Sequence, residues 1–468
     1  MASVLIRNGT VVTAEGQSAA DVFVEGGIIA RVGPALDVPA DSVIDASRLL
    51  VLPGGIDAHT HLDMPAGDIR STDDFETGTI AAAHGGTTTI VDFATPLPGQ
   101  CLRHALDEWM RLAGGRAVVD FAFHMVVAEW TAGTAAEMDR LVSDHGVTSF
   151  KLFMAYPGRL MLDDGAIFRA LRQTREDGGL VMLHAENGGV IDALVDEARR
   201  RGDTAPRFHA LTRPSATEGE AVARAIALAD MAGAPLYIVH VSSAEGVTAI
   251  ADARARGVPV YGETCPQYLC LSDAEYARPG FEAAKFVISP PLRSTEHQAA
   301  LWEGLADGVL DVVATDHCPF GFDNPPHKRM GLDDFSRIPN GAPGIETRLS
   351  LLWDSGVRTG RISPSRFVEL TATAPAKILG LWPRKGAVAE GADADLVVWD
   401  PLKRATLSAS THHMRVDYSL YEGRTVTGAP AIVMSHGEVI VEGGAFVGHP
   451  GRGVFLRRAP RASSGGKA

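Results

Sequence analysis

Residues 51–61 read "VLPGGIDAHTH", an apolar run interrupted by Pro-Gly-Gly and closed by two histidines. Two fold classes that alternate strands with helices part company here. In a doubly wound open sheet, the turn after the first strand is glycine-rich and cradles a phosphate. In this chain the same turn carries His59 and His61. Two residues apart on an extended chain, both imidazoles point to one face. The stretch therefore reads as the opening strand of a (β/α)8 barrel, a fold that gathers its chemistry at the C-terminal strand ends.

Seven further apolar runs of strand length follow: "GTTTIVDFA" (86–94), "VVDFAFHMVV" (118–127), "TSFKLFMAY" (148–156), "GLVMLHAEN" (179–187), "PLYIVHVSS" (235–243), "VPVYGETCPQ" (258–267) and "LDVVATDHCPF" (310–320). They are nearly continuously apolar, as parallel strands buried on both faces should be. Helical segments such as "GEAVARAIALADMAG" (219–233) separate them. Eight such units over roughly 320 residues match a barrel with insertions. The ends differ in texture. Short strands and turns fill the first fifty residues and return in "ADADLVVWDP" (392–401) and "GAPAIVMSHGEVIVEGGAFV" (428–447). The expected organisation is a catalytic barrel over 53–383 and a smaller β-sandwich domain from 1–52 and 384–468. The tail "RRAPRASSGGKA" (457–468) reads as a frayed end, its last ten or so residues disordered.

Composition narrows the class of partner. The chain has 468 residues, 46% hydrophobic and 21% charged, with a net charge of −14. A balance that negative argues against nucleic acid or an anionic membrane as partner, since both need a basic face. The N-terminus lacks a signal-peptide pattern, and no run of about eighteen apolar residues occurs. Cys101, Cys265, Cys270 and Cys318 are scattered, without zinc-finger or CxxC spacing. Reduced thiols in a cytoplasmic protein are the expectation.

The other strand ends add His184 in "LHAEN", His240 in "VHVSS" and Asp316 in "ATDHCPF". With His59 and His61 they would converge on one mouth of the barrel. Histidine and carboxylate ligands suit zinc, with manganese or cobalt able to substitute. Five ligands exceed what one catalytic zinc with an open position takes, so they suggest two metals about 3.5–4 Å apart. Such a pair needs another anion between its members, and strand four offers only Lys151, within "SFKLFMAY" (149–156). Lys151 is one of seven lysines among 43 basic residues. An ammonium between Phe150 and Leu152 costs several kcal/mol if buried unpaired.

At this point the sequence resembles a known family. "GGIDAHTHLDMP", "AAAHGGTTTIVDF", "SFKLFMAY", "LHAEN", "VHVSS", "GETCPQYL", "DHCPF" and "IPNGAPGIETR" together look like the cyclic-amidase branch of the amidohydrolase superfamily, near D-hydantoinases and dihydropyrimidinases. The resemblance implies two zinc ions bridged by a hydroxide and by Lys151 carboxylated with CO2. His59, His61, Lys151 and Asp316 would hold the more buried metal, and His184, His240 and the same Lys151 the more exposed one. The implied reaction is hydrolysis of a small cyclic ureide or amide, with the hydroxide attacking a ring carbonyl. Asp316 would serve as general base and then acid, and Tyr156 would donate to the oxyanion. Main-chain groups at Ser289 and Asn340 would hold the –NH–CO–NH– edge, and Met64, Ala66, Phe153 and Leu160 would form the substrate lid. A homotetramer is also implied.

Departures from relatives sharpen the expectation. Tyr156 is followed by Pro-Gly where relatives usually have lysine. Dihydroorotase-like relatives carry an arginine two residues past the second histidine, where this chain has Asp63. Allantoinase-like relatives show an Asn and "EPG" there. Both stay as alternatives, as does a non-enzymatic scaffold like the collapsin-response-mediator proteins. Where relatives carry Leu or Phe, Ala66 leaves room for a bulky group such as an aryl on ring position five. His317, His84, His124, Cys265 and Cys318 read as packing residues, and Asp57 and Asp63 as supports for the histidine pair.

Overall fold

The computed structural model describes residues 3–461. Eight parallel strands form one sheet in chain order: β1 (Gly55–Thr60), β2 (Thr87–Ala94), β3 (Asp120–Val126), β4 (Ser149–Phe153), β5 (Leu180–His184), β6 (Leu236–Ile238), β7 (Val260–Thr264) and β8 (Val312–Val313). Each pairs in parallel with its neighbours in sequence. Period-two alternation sorts the side chains. Phe150 and Leu152 of β4 and Val181 and Leu183 of β5 join the outer core with helix residues such as Ile167 and Leu171. Leu180 and Met182 instead pack inside with Ile56, Val91, Phe93 and Tyr237. Lys151, between Phe150 and Leu152, is thereby turned into the barrel, where it is 1% exposed.

Closure between β1 and β8 relies on side chains. A single bridge joins Thr60 to His317. Fully buried Arg348 donates to the carbonyls of Ile56 (3.0 Å) on β1 and Val313 (2.9 Å) on β8. Asp57 accepts from the Thr315 N–H (3.0 Å) and hydroxyl (2.6 Å). Two strands with no run of ladder bonds are thus held by a guanidinium and a carboxylate whose own polar atoms need partners when buried.

The termini build two further sheets. One orders Ile28–Gly33, Asp21–Glu25, Val4–Arg7 and Ser42–Asp45. The other orders Ala445–Phe446, Glu438–Glu442, Thr425–Ser435, Leu396–Thr406, Leu50–Pro53, Thr10–Val12 and Gln17–Ala19. Val4, Ile6, Val22 and Val24 of the first share one core with Val11, Val51, Leu396, Val398 and Met434 of the second. The stretch 51–61 therefore divides. Leu50–Pro53 pairs with Leu396–Thr406, and the chain enters the barrel immediately after Gly54. A Cβ at Gly54 would collide with the Thr88 side chain, which explains a glycine at this crossing.

The expectation of a frayed tail is corrected for its first residues. Phe455 packs on Phe123, with ring centroids 5.6 Å apart. Residues 453–461 then run beneath the barrel, with Leu456 N–H on Phe121 O (2.8 Å), Arg458 N–H on Gly146 O (3.0 Å) and Arg461 N–H on Gly178 O (2.8 Å). The helix Asp164–Asp177 ends at Gly178 in the left-handed region, and a Cβ there would lie 2.5 Å from Arg461 O. The low-complexity look hid apolar anchors and arginines that reach buried carbonyls. Residues 462–468, the rest of that expectation, lie outside the described residues. Among the described residues, no helix is long and apolar enough to cross a membrane.

A buried ionic cluster ties β3 to the terminal sheets. Lys385 Nζ meets Asp120 (2.5 Å), Asp393 (2.8 Å) and Asp395 (2.6 Å), and His436 Nε2 meets Asp120 (2.8 Å). Burial raises the Asp120 pKa, but the His436 hydrogen bond and the Lys385 ammonium outweigh it and bring it to about 2. A depressed carboxylate stabilises above its unfolded value and loses that contribution as pH falls from about 4 toward 2, here roughly 2–3 kcal/mol. His436 is raised, so its share is present below the ordinary histidine value and fades as pH rises through the folded one. Asp120→Asn should therefore destabilise by about 3–5 kcal/mol near neutrality. The melting-temperature gap to wild type should narrow between pH 6 and 9; a gap that widens with pH would contradict this assignment.

Candidate metal centre and active site

All five metal-type side chains expected from the strand ends lie together at the C-terminal mouth. His59 Nε2 and His61 Nε2 both face Asp316 Oδ1, at 3.2 and 3.1 Å. Ligand atoms of these three residues all lie within 4.8 Å of one another. His184 Nδ1 faces His240 Nε2 at 3.0 Å. The rings form a continuous arc, with centroid steps of 5.1 Å from His61 to His59, 5.5 Å to His240 and 4.7 Å to His184. His184 continues the inward register of Leu180 and Met182 on β5. His240 does not, because outward-facing Ile238 precedes it by two. Its φ of +40° re-aims the side chain inward. Asp316 (φ +52°) and Tyr156 (φ +67°) share that left-handed backbone, a strain that gathers at functional sites.

Lys151 lies between the two halves of the arc. Its Nζ stands 5.1 Å from the Phe93 ring centroid and 5.2 Å from that of Phe153. Its charge opposes protonation of His59, His61 and His240 alike. Burial lowers the amine itself to about 8, against the pull of Asp316 and Glu263.

Two carboxylates support these histidines, and neither was singled out in the sequence. Glu263, at the end of β7, accepts from His59 Nδ1 (2.7 Å), the His240 N–H (3.1 Å) and the Tyr237 hydroxyl (2.8 Å). Glu186 Oε2 meets His184 Nε2 at 2.8 Å. Metal-binding histidines are oriented through their second nitrogen in this way. The available signal was a glutamate within or just past a buried strand end in "GETCP" and "LHAEN". Burial lowers His59, but Glu263 and Asp316 outweigh it and hold it at about 9, whereas burial takes His61 to about 4. Burial raises Asp316 too, yet His59 and His61 keep it ionised, well below the carboxylate range.

Tyr156 is fixed by its own loop. Its carbonyl accepts from Arg159, Leu160 and Met161 (3.1, 3.1 and 3.2 Å), and Leu162 N–H returns to Phe153 O at 3.0 Å. Burial and nearby Glu186 raise the phenol, while Ser289 and Asn340 hydrogen-bond it. Those two side chains also meet each other at 3.0 Å. Tyr156, Ser289 and Asn340 thus form one rim. The four expected lid positions fall on different elements. Phe153 stands against His184, centroids 5.6 Å apart. Leu160 lines a cavity of about 350 Å3 with Leu97, Ala128 and Glu129. Met64 adjoins, and Ala66 lies on, a hairpin of Pro65–Ala66 and Ile69–Arg70. His317 bonds Asp73 (3.1 Å) and the Gly344 N–H (3.1 Å), and His124 spans Ser149 and Ala58. Both are packing residues. Asp57 supports the turn through Thr315; Asp63 accepts instead from Phe75 N–H (3.3 Å).

The donor set fits two cations. Two imidazole nitrogens converge on one carboxylate oxygen, and two more nitrogens face each other beside a buried amine. A second cluster, Asp120, Asp393 and His436, also has metal-ligand types, but Lys385 is already its cation.

Residues 50–440 match the model of the amidohydrolase family. A D-hydantoinase of Streptomyces coelicolor is 52% identical over 460 residues, covering 97% of this chain and 98% of the relative. A D-hydantoinase of Geobacillus stearothermophilus is 49% identical over 455 residues, covering 97% and 96%. The crystal structure of a dihydropyrimidinase from Brevibacillus agri superposes with a TM-score of 0.97 at 48% identity, covering 98% of this chain and 99% of that one.

Proposed function

The chain belongs to the amidohydrolase family, in its hydantoinase and dihydropyrimidinase group, and from that premise we propose a substrate and a mechanism. It is a hydrolase of cyclic amides. The substrates are 5-substituted hydantoins, opened to N-carbamoyl amino acids, and dihydropyrimidines. The observation that carries this reading is the arc of four histidines around the Lys151 amine, with Asp316 facing its buried end.

His59, His61, Asp316 and carboxylated Lys151 would hold one zinc, and His184, His240 and the same Lys151 the other. Manganese or cobalt could replace zinc. When bound, the metal pair supplies a hydroxide nucleophile at neutral pH and polarises the ring carbonyl. The chain does the rest. Asp316 takes the nucleophile's proton and delivers it to the departing ring nitrogen. The Tyr156 hydroxyl, kept protonated by burial, donates to the developing oxyanion. Main-chain groups at Ser289 and Asn340 present donor and acceptor to the flat ureide edge. Phe93 and Phe153 keep the Lys151 end dry. A homotetramer, a cytoplasmic location and a division into a barrel and a sandwich unit, with the second crossing at 383/384, complete the proposal.

Ala66 on its hairpin favours a bulky substituent at ring position five. A panel of 5-phenylhydantoin and dihydrouracil on metal-replete protein, resolved by enantiomer, tests this. Both rings should open, with kcat/KM higher for the aryl hydantoin. A strong preference for dihydrouracil would remove the aryl assignment, and failure to open either ring would remove the function.

A further inference from the structure

We propose that Lys328 is a positioning residue that fixes the substrate rim by holding the Ser289 and Asn340 segments through three main-chain carbonyls. The inference rests on the reading that this rim receives the ureide edge.

Lys328 opens a short 3-10 turn (Lys328–Gly331) after β8 and is wholly buried. Its Nζ donates to Val287 O (2.9 Å), Pro339 O (2.7 Å) and Gly341 O (2.8 Å). An ammonium has three N–H groups, and all three are used. All three partners are neutral carbonyls. Such a burial costs several kcal/mol, and apolar packing of similar volume would hold a fold at least as well. Architecture alone is therefore a poor reason for a lysine here.

What the lysine arranges is specific. Its carbonyls flank Asn340 on both sides, and the third lies two residues before Ser289. Val287 O also accepts the Gly341 N–H at 3.2 Å, closing a ring of contacts between the two segments. Gly341 has φ +142°, and a Cβ there would strike the Cys318 carbonyl, so the turn has no slack. A planar trans peptide directs its N–H opposite to its C=O. With Pro339 C=O drawn to Lys328, the Asn340 N–H must point away from it, and it takes no partner among the described main-chain hydrogen bonds. Lys328 thus sets the direction of a free donor beside Tyr156 and Ser289.

Lys328→Met keeps the apolar stem and removes the donors. The expected result is unchanged zinc content, kcat within about threefold, and a KM for dihydrouracil raised roughly tenfold or more, the signature of lost uniform binding. Lys328→Gln, which retains two N–H donors on a shorter arm, should fall between. A KM within twofold of wild type in either folded variant overturns the proposal. Failure of both variants to fold also overturns it, in favour of a structural role. Glutarimide, in which a methylene replaces one ring N–H of dihydrouracil, separates this from the rim itself. If wild type accepts both rings with equal KM, the rim reading fails. If wild type discriminates and Lys328→Met discriminates equally with the same KM, only the role of Lys328 fails.

Discussion

Lys151→Arg should yield a folded protein that retains neither metal and loses activity by on the order of 10³-fold or more. The position is 1% exposed, faces into the barrel between Phe93 and Phe153, and stands between the His59–His61–Asp316 group and the His184–His240 pair. Two dications there need an anion that Asp316 alone does not supply. A lysine amine partly neutralised by burial can take up CO2 and become that anion. A guanidinium stays cationic under all ordinary conditions and repels both metals. Added bicarbonate should therefore restore nothing. Elemental analysis and an intact mass lacking the added CO2 check the loss. Wild-type activity in Lys151→Arg would refute the bridge.

Asp316→Asn should lower kcat by about 10²–10⁴-fold with a much smaller change in KM. The carboxylate faces His59 and His61 at 3.2 and 3.1 Å, and an ionised carboxylate in that place can accept a proton. Asparagine keeps an oxygen toward the histidines but cannot take that proton or return it to the leaving nitrogen. Metal content should fall less than in Lys151→Arg, because one neutral oxygen ligand remains. Single-turnover rates on zinc-replete protein separate the chemical step from binding. A variant whose kcat is preserved would move the proton-transfer role to another group.

The barrel and its histidines were legible because each strand announces itself locally. Apolar runs mark β1–β8, and His59, His61, His184 and Asp316 fall where a strand ends. Lys151 was legible because a charge at an inward position of a buried strand contradicts its surroundings. What stayed hidden depends on neighbours distant in sequence. Glu263 meets His59 across 204 residues, a link no local period encodes. Arg348 reaches Ile56 across 292 residues to close the seam. Lys328 reads as an ordinary loop cation until its carbonyls are in place. The division of 51–61 at Gly54 depends on Leu396–Thr406, a strand from the other end of the chain. The tail looked disordered because its anchors, Phe455 and Leu456, precede the arginines and serines that dominate its composition.

The proposed site turns over cyclic amides only with two metals bound per chain. Metal-stripped protein, given zinc in steps with bicarbonate present and assayed for dihydrouracil ring opening at each step, tests it most directly. Activity should climb until two equivalents per chain are bound and stay flat beyond. A plateau at one equivalent, or turnover indifferent to added zinc, would contradict a two-metal site.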